Sequence, residues 1–412
     1  MKINAYLIIF LLCPVLSFSQ WALQDPLPQD SRLRDVFFSD AMTGYCVGDN
    51  GTIIKTTNAG SSWIVLQSGT TQTLNTVFFI DGDTGYIGSN GFILKTTDGG
   101  NTWTTFTFGA TLGTNILSLF FTDTNTGYAG GSYGKLYKTT DGGQNWNLLP
   151  KFPLPVLFTV CHDIYFKDAN TGFIAGASDP AEAGKKIILM TTDGGLNWTI
   201  SYLNNSYVDS FNSMSFPDAN TGYAVGRSWG INDINLIKTT DGGVSWFQLP
   251  RIPGYLKSIF FTDALNGYAA GSETFGEYDG KIMETTDGGL TWTTTNFSPQ
   301  LYGLFFTDTH GYAVGDDGTI LNTAIDGLAV DTFQNHQISL FPNPAHDYVS
   351  LKSENPEQAT VRVFDAMGRE IPVGKSWSND TLTLDLQLLN QGFYIVEVIN
   401  EKRISTAKLI VQ

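Results

Sequence analysis

Cysteine, histidine, methionine and charge are all scarce. The 412 residues include three Cys, four His and six Met, and only 15% are Asp, Glu, Lys or Arg. Cys13 lies in the first apolar run, while Cys46 and Cys161 fall in different copies of the repeat described below, so no disulfide framework is expected. A chain of this length buries a core large enough to do without such staples. His162 has no second histidine near it in sequence, and neither a metal nor a cofactor is expected. Basic residues are few as well: 23 Lys and Arg stand against 39 Asp and Glu, a formal charge of −16. Such a surface repels phosphate backbones, which argues against nucleic acid as a partner, and it favours solubility. Beyond the first sixteen residues no run is apolar enough to span a membrane, so no transmembrane segment is expected.

The opening residues have the form of a secretory signal. Lys2 supplies the positive start, residues 5–16 form an apolar run, and Ser17-Phe18-Ser19 offers small residues where a peptidase reads. Residues 1–19 are expected to be removed, with the cut before Gln20. Leu11 and Leu12 are too large to make Cys13 a lipidated cysteine.

What the sequence has in abundance is glycine, 44 residues, and aromatic side chains, 13%. Both recur in register. The unit reads apolar run, Phe-Phe-x-Asp, Thr-Gly-Tyr-Ala-Val-Gly, short loop, apolar run, Thr-Thr-Asp-Gly-Gly-x-Thr-Trp. Its Gly-aromatic step appears at Gly44, Gly85, Gly127, Gly172, Gly222, Gly267 and Gly311, at intervals of 41, 42, 45, 50, 45 and 44 residues. Four short strand signals per unit at this period predict a β-propeller. In the second copy the strands are expected at 74–79, 84–88, 92–97 and 102–107, with glycines at the turns, where positive φ is needed.

The turn before the fourth strand matches the Asp-box pattern five times. It carries Asp98 and Trp103, Asp141 and Trp146, Asp193 and Trp198, Asp241 and Trp246, and Asp287 and Trp292. The Asp is expected to accept backbone N–H bonds inside the hairpin, and the Trp to cover the turn between blades. One carboxylate per copy is too few for a calcium site. Copy one departs from the pattern, with Asn58-Ala59-Gly60 before Trp63, and its turn is expected to be the weakest. Copy seven has three strands, a degenerate Ala324-Ile325-Asp326-Gly327 and no following Trp. Gln20-Trp21-Ala22-Leu23 resembles its missing fourth strand. The N-terminal strand therefore completes the last of seven blades and closes the ring over residues 20–327, leaving no open sheet edge.

In a propeller the loops between second and third strands share one face, and the Asp boxes lie on the other. Three such loops are expanded, 177–186, 227–235 and 272–280, on adjacent blades four to six. They predict one raised patch holding Asp179, Lys185, Arg227, Trp229, Asp233, Phe275, Glu277 and Tyr278, with Glu182 and Lys186 beside them. Aromatic and charged residues on loops of a rigid scaffold suit recognition of a sugar or a protein; longer loops also arise as tolerated drift.

After a linker at 328–337, alternating strands are expected at 348–352, 359–364, 382–386, 392–399 and 404–411. They describe a small Ig-like antiparallel β-sandwich over residues 338–412. The fold class is therefore all-β, a seven-bladed propeller followed by a sandwich.

Both halves resemble known families. The segments Phe341-Pro342-Asn343-Pro344-Ala345, Val363-Phe364-Asp365 with Gly368-Arg369, Leu389 with Gly392-Phe393-Tyr394, and Lys408-Leu409-Ile410-Val411-Gln412 resemble the type A C-terminal sorting domain of the type IX secretion system of Gram-negative bacteria. That resemblance implies passage through the periplasm and across the outer membrane, with the secretion machinery as partner of the tail. It also implies loss of the tail and a body released or attached to the cell surface. Residues 20–327 resemble Asp-box propellers of the photosystem II assembly-factor-like group, as in Lys238–Trp246. An exported chain has no photosystem to assemble, and fold does not fix function.

Three functions remain in view. One is a non-catalytic secreted or surface module binding a glycan or protein. Another is a purely structural surface protein. The third is a glycoside hydrolase, since Asp boxes also occur in sialidases. The propeller offers only Arg32, Arg34, Arg227 and Arg251 toward a sialidase arginine triad, and Arg251-Ile252-Pro253 resembles a sialidase motif but follows four boxes and the degenerate turn of copy one instead of preceding the first. No catalytic residue is assigned.

Overall fold

The conserved-looking spacing of the repeat has a steric origin at the Phe-Phe and Gly-Tyr steps. In every copy the second aromatic of the inner strand lies flat over the glycine that opens the second strand. A Cβ on Gly44 would stand 2.5 Å from the Phe38 ring, and Gly85, Gly127, Gly172, Gly222, Gly267 and Gly311 meet Phe79, Phe121, Phe166, Phe216, Phe261 and Phe306 in the same way. Only glycine fits there.

The computed structural model describes residues 21–25, 27–108, 114–150, 158–178, 185–204, 210–227, 235–273, 279–324, 340–352, 360–365, 371–378, 381–387, 389–400 and 403–412. They fall into two units, Met1–Ile325 and Asp326–Gln412. Among the described residues the first unit contains seven four-stranded antiparallel sheets. Six are sequential meanders, beginning with Leu33–Phe38, Gly44–Gly48, Ile53–Thr56 and Ile64–Leu66. In the seventh, Leu301–Phe306, His310–Gly315 and Ile320–Ala324 are joined by Ala22–Leu23 from the other end of the chain. Ala22 pairs with Asn322 and Leu23 with Leu321, so the ring closes through its N-terminal strand.

Each blade is glued to the next by a three-ring sandwich. The Tyr of blade one, Tyr45, stacks on Phe79 of blade two at 3.8 Å, and Trp103 meets Phe79 edge-on at 6.4 Å. The same stack recurs as Tyr86–Phe121 with Trp146, Tyr128–Phe166 with Trp198, Phe173–Phe216 with Trp246, Tyr223–Phe261 with Trp292, and Tyr312–Phe38 with Trp63. At the last seam Tyr268 stacks on Phe306 at 4.3 Å, and the edge-on ring, at 5.8 Å and 89°, is Trp21. Trp21 thus stands where an Asp-box Trp stands in the other blades.

Polar bonds reinforce the same seams. Tyr45 Oη and Lys55 Nζ both donate to the Gly99 carbonyl of the next box, Tyr86 and Lys95 to Gly142, and Tyr128 and Lys138 to Gly194. In blade six the lysine position is Glu284, because the following blade has no box; its Oε1 accepts from Trp21 Nε1 at 3.2 Å. Blade four has Phe173 and Met190 at these places, and Ser201 instead donates to Gly243 and accepts from Trp246 Nε1.

Inside each box the carboxylate organises the hairpin. Asp98 Oδ1 accepts from Thr102 N at 2.9 Å and Oδ2 from Thr102 Oγ1 at 2.6 Å, while Thr96 Oγ1 caps Gly100 N. Bonds from the residue four places on, first from its side chain and then from its backbone, hold Asp98, Asp141 and Asp241 down to about 2. In blade one Asn58 makes the equivalent bonds to Ser62. The cost falls on Ala59, which takes φ +53° where the other boxes have glycine.

The expected strands sit within two or three residues of the observed ones; in blade two they are Leu74–Phe79, Gly85–Ser89, Phe92–Thr96 and Thr104–Thr107. The expanded loops need correction. Ala177, Ser178, Lys185 and Lys186 belong to paired strands, as do Ser272 and Gly280, so part of two of the three insertions lengthens a hairpin. Lys186 and Lys281 are each only 2% exposed, and Lys281 pairs with Glu273 at 2.8 Å.

The second unit is two antiparallel sheets. One has Leu340–Phe341, Tyr348–Lys352, Thr381–Asp385 and Gly374–Ser378 side by side; the other has Thr360–Asp365, Gly392–Asn400 and Arg403–Val411. Leu340–Phe341 and Gly374–Ser378 were not expected from the sequence. The core between the sheets includes Val349, Leu351, Val361, Val363, Leu382, Leu384, Val396 and Leu409.

Trp21→Ala should destabilise the propeller by about 3 kcal/mol, as for removal of a buried large aromatic. Leu23→Ala, at a side chain 60% exposed, should change it by less than about 0.5 kcal/mol. Urea melts of the two variants check this. Ala59→Gly should stabilise by roughly 0.5–1 kcal/mol by relieving the positive φ; a rise in melting temperature is the readout.

Candidate functional site: the axial mouth

The two faces of the ring are fixed by backbone bonds. Each box is tied to the first turn of its own blade, as in Gly99 N to Asp83 O and Gly242 N to Asn220 O. The second-to-third-strand loops are tied to the links that enter the inner strands, as in Asp49 N to Arg32 O, Ser132 N to Asn115 O and Asp316 N to Gln300 O. The inner strands therefore start at the loop face and run toward the box face.

Down the axis these strands present layers. Nearest the boxes is an aromatic collar of Phe37, Phe78, Phe120, Tyr165, Phe260 and Phe305, with Ser215 in the seventh place. Neighbouring rings are 5.2–5.9 Å apart and tilted by 43–71°, close to the one-seventh turn of about 51° that equal blades require.

Above the collar, five of the seven inner strands offer a side-chain oxygen to the backbone of the next. Asp35 accepts from Val77 N, Ser118 from Ile164 N, Asp163 from Met214 N, Ser213 from Ile259 N and Ser258 from Leu304 N. By surface area Asp35 and Asp163 are only partly buried, but their carboxylates lie among the inner strands with backbone N–H groups as partners. Burial pushes Asp35 up to about 6 and Asp163 up to about 7, against hydrogen bonds that pull the other way.

The top layer is cationic. Arg34 Nε pairs with Asp49 at 2.6 Å, and Arg32 bonds Asp316 and lies over the Tyr302 ring at 5.2 Å. Lys257 sits over both Tyr255 and Tyr302, at 4.7 and 5.7 Å, and Arg227 over Tyr255 at 4.3 Å. His162 is held down to about 4 by burial and then by the charges of Arg227 and Lys257, which places it beside them as a neutral ring. Among the described residues Arg34 pairs with Asp49, and Arg32 with Asp316 and Asp49. A positive mouth lined with aromatic rings has formed on a chain of net charge −16.

Of the residues expected in the raised patch, Arg227 belongs to this mouth. Lys185 is paired opposite Ser178 in a hairpin. Asp179, Trp229, Asp233, Phe275, Glu277 and Tyr278 lie outside the described residues, as does Glu182. Arg32, Arg34, His162, Tyr255, Lys257 and Tyr302 were missed as a group. Part of their signal was available: aligning the inner strands puts Arg34, Asn75, Leu117, His162, Asn212, Lys257 and Tyr302 in one variable column, which holds four of the six. Arg251-Ile252-Pro253 packs as structure, with Ile252 buried between Asn235 bonds and the Pro253 carbonyl receiving Lys281. Cys46 and Cys161 are free, buried thiols pushed well up by burial. No group of three metal-ligating side chains occurs among the described residues.

In the sorting segment, Asn343 lies along the last strand. Its Nδ2 donates to the Lys408 carbonyl at 2.6 Å and its Oδ1 accepts from Ile410 N at 2.9 Å. Ala345 N and Gln412 N continue the lacing, and Tyr394 Oη donates to the Asn390 carbonyl. Pro342 and Pro344 flank the Asn343 clamp, and Gly392 begins a strand opposite Val411. Gly368 lies outside the described residues.

Fold and mouth together define an Asp-box β-propeller with a cationic axial opening and a C-terminal sandwich. The chain belongs to the family described as photosynthesis system II assembly factor YCF48, whose model matches residues 13–151 and 151–295. Residues 339–412 match the secretion system C-terminal sorting domain, a tail that directs export to the cell surface or beyond. A curated relative, the photosystem II assembly lipoprotein Ycf48 of Trichormus variabilis, is 35% identical over 69 residues, 15% of this chain and 20% of the relative. The chain therefore spans about a fifth of that relative's length.

Solved structures share the fold. YCF48 bound to D1 peptide gives a TM-score of 0.59 at 19% identity, covering 76% of this chain and 99% of that one. PorZ, a surface component of the type IX secretion system of Porphyromonas gingivalis, gives 0.53 at 12%, covering 90% and 58%. The GH74 xyloglucanase of Xanthomonas campestris gives 0.57 at 14%, covering 81% and 59%. Identities this low show the fold alone.

The inner-rim carboxylates give a pH dependence of known sign. The folded state keeps the Asp163 proton up to about 7, whereas an unfolded Asp loses it near 3.8. Between those values folding takes up a proton, so this contribution is full below about 4 and is lost as pH rises through about 7. Asp163→Asn does not titrate. Its melting temperature relative to the parent should climb by several degrees from about pH 5 to about pH 8; a constant difference would refute the assignment.

Proposed function

We propose that the mature propeller is a non-catalytic binding module, exported through the periplasm and shown on the cell surface or released. Its axial mouth takes a protein partner through an acidic peptide segment. The observation that carries this reading is the convergence of Arg32, Arg34, Arg227 and Lys257 with Tyr255 and Tyr302 at the end of one axis. Guanidinium groups recognise carboxylates through paired donors, and tyrosines supply flat contact area at low entropic cost. Arg32 and Arg34 are already oriented by Asp316 and Asp49, so little ordering of these two is left for the ligand to impose. The peptide held by the YCF48 structure is a ligand of that protein; it supports a peptide here by likeness of fold. Asp179, Lys185, Trp229, Asp233, Phe275, Glu277 and Tyr278 are proposed as the flanking part of the surface. Glycan binding remains the second reading, since the mouth is aromatic as well as charged.

The test is fluorescence anisotropy of the full chain with a labelled decapeptide bearing three carboxylates, its amide-and-glutamine counterpart, and a xyloglucan oligosaccharide. The acidic peptide should bind best and weaken with salt. Arg227→Gln or Lys257→Gln should cost about tenfold, or about 1.4 kcal/mol. Equal binding of acidic and neutral peptides overturns the proposal. Competition by the oligosaccharide alone transfers the mouth to the glycan reading.

A further inference from the structure

The sorting segment is built into the fold of its own domain, which leaves open what a receptor would touch. Asn343, the polar residue of the Pro-Asn-Pro step, spends both ends of its amide on the backbone of the last strand. Ala345 is fully buried and lies beside Val411. The Asn343 amide and Ala345 thus hold the domain together.

What the segment does offer is its flanks. Phe341 is 78% exposed and Tyr348 is 56% exposed. Both lie on the outer face of the four-stranded sheet. Phe341 is opposite Ser350, and Tyr348 stands two residues along the same strand from Ser350. This puts the two rings diagonally adjacent, a separation within reach of aromatic side chains. The rest of that face is polar: Ser350 is bonded to Thr383 at 3.0 Å, and Tyr348 is opposite Asp385. Phe393, 57% exposed with Lys408 over its ring at 4.1 Å, lies on the outer face of the other sheet and is not part of this surface. Phe341 and Tyr348 are therefore an exposed aromatic pair on an otherwise polar sheet face. Isolated exposed apolar residues are ordinary, but paired aromatics are what anchors at protein interfaces are made of.

We infer that the Phe341–Tyr348 face is the surface through which the tail docks on a protein of the export machinery. The partner surface it fits is an apolar pocket that takes two neighbouring rings. The inference rests on the export role of the tail, and the partner class follows from that role. The motif residues act as positioning residues that fix where Phe341 points.

The experiment uses the full chain, epitope-tagged in the propeller, in a bacterium with an active type IX system. The variants are Phe341→Ser with Tyr348→Ser, the conservative pair Phe341→Trp with Tyr348→Phe, and deletion of residues 340–412. Cell-surface, periplasmic and medium fractions are compared, and each purified variant is melted. The serine pair should lower the exported fraction at least tenfold while its melting temperature stays within about 2 °C of the parent, as expected for exposed sites. The conservative pair should export normally. Normal export of the serine pair, with the deletion retained in the periplasm, overturns the docking surface. Export of the deletion overturns the role of the tail and the surface with it. If the serine pair loses export only together with its melting transition, and the conservative pair is also retained, the face is structural and the inference fails.

Discussion

The propeller depends on the sandwich of rings at its seams. A Tyr or Phe from one blade, a Phe from the next and a Trp from that second blade's outer turn meet in the same way at every interface. One arrangement explains several features of the repeat. The glycine before the aromatic makes room for the ring; the Asp box fixes the turn from which the Trp projects; the lysine and tyrosine tie that turn to the preceding blade. Offset stacking and edge-to-face contacts are favourable beyond the apolar area they bury, and here both occur around one ring. Where a member is absent, a local substitute appears. Ser201 serves where Phe173 and Met190 lack polar ends, and Glu284 meets Trp21 where the next blade has no box.

With the seams carrying cohesion, the axis is released from it. Five of the inner strands place one Asp or Ser oxygen toward the next blade. The neighbouring column of residues is free to vary, and the variation builds the mouth. Two aspartates in the supporting layer are costly, because burial removes their hydration while the backbone bonds only partly compensate. Serine performs the same bond elsewhere in the ring, so carboxylates are not required for cohesion there.

How much was legible in the sequence follows from this division. The seam residues repeat, so the blade number and the closing role of Trp21 could be read from spacing. Strand ends were blurred by a residue or two because turns and strands share the same Thr and Gly. Leu340–Phe341 was hidden by its length of two residues, and Gly374–Ser378 by its lack of alternation. The mouth was hidden for a different reason. Arg32 and Lys257 are separated by more than two hundred residues, and each is unremarkable within its own copy; only the ring closure brings them to one end of the axis. Insertions drew attention to the loops instead, and part of that extra length went into paired strand, where Lys186 is buried.

The seventh blade is held by a strand of two residues and a single indole wedged against Phe306 and Tyr268. Six blades are covalent meanders; this one is a latch between the two ends of the propeller, residues 22–23 and 320–324. Joining residue 324 to residue 21 through a box turn, and opening the chain between two other blades, would move the latch without altering any seam. Such a circular permutant would place the least cooperative point of the ring wherever the new ends lie. The native choice puts that point at blade seven, beside blade one, whose Arg32 reaches Asp316 across the same junction. The contact that sets one side of the cationic opening therefore spans the junction that the latch closes.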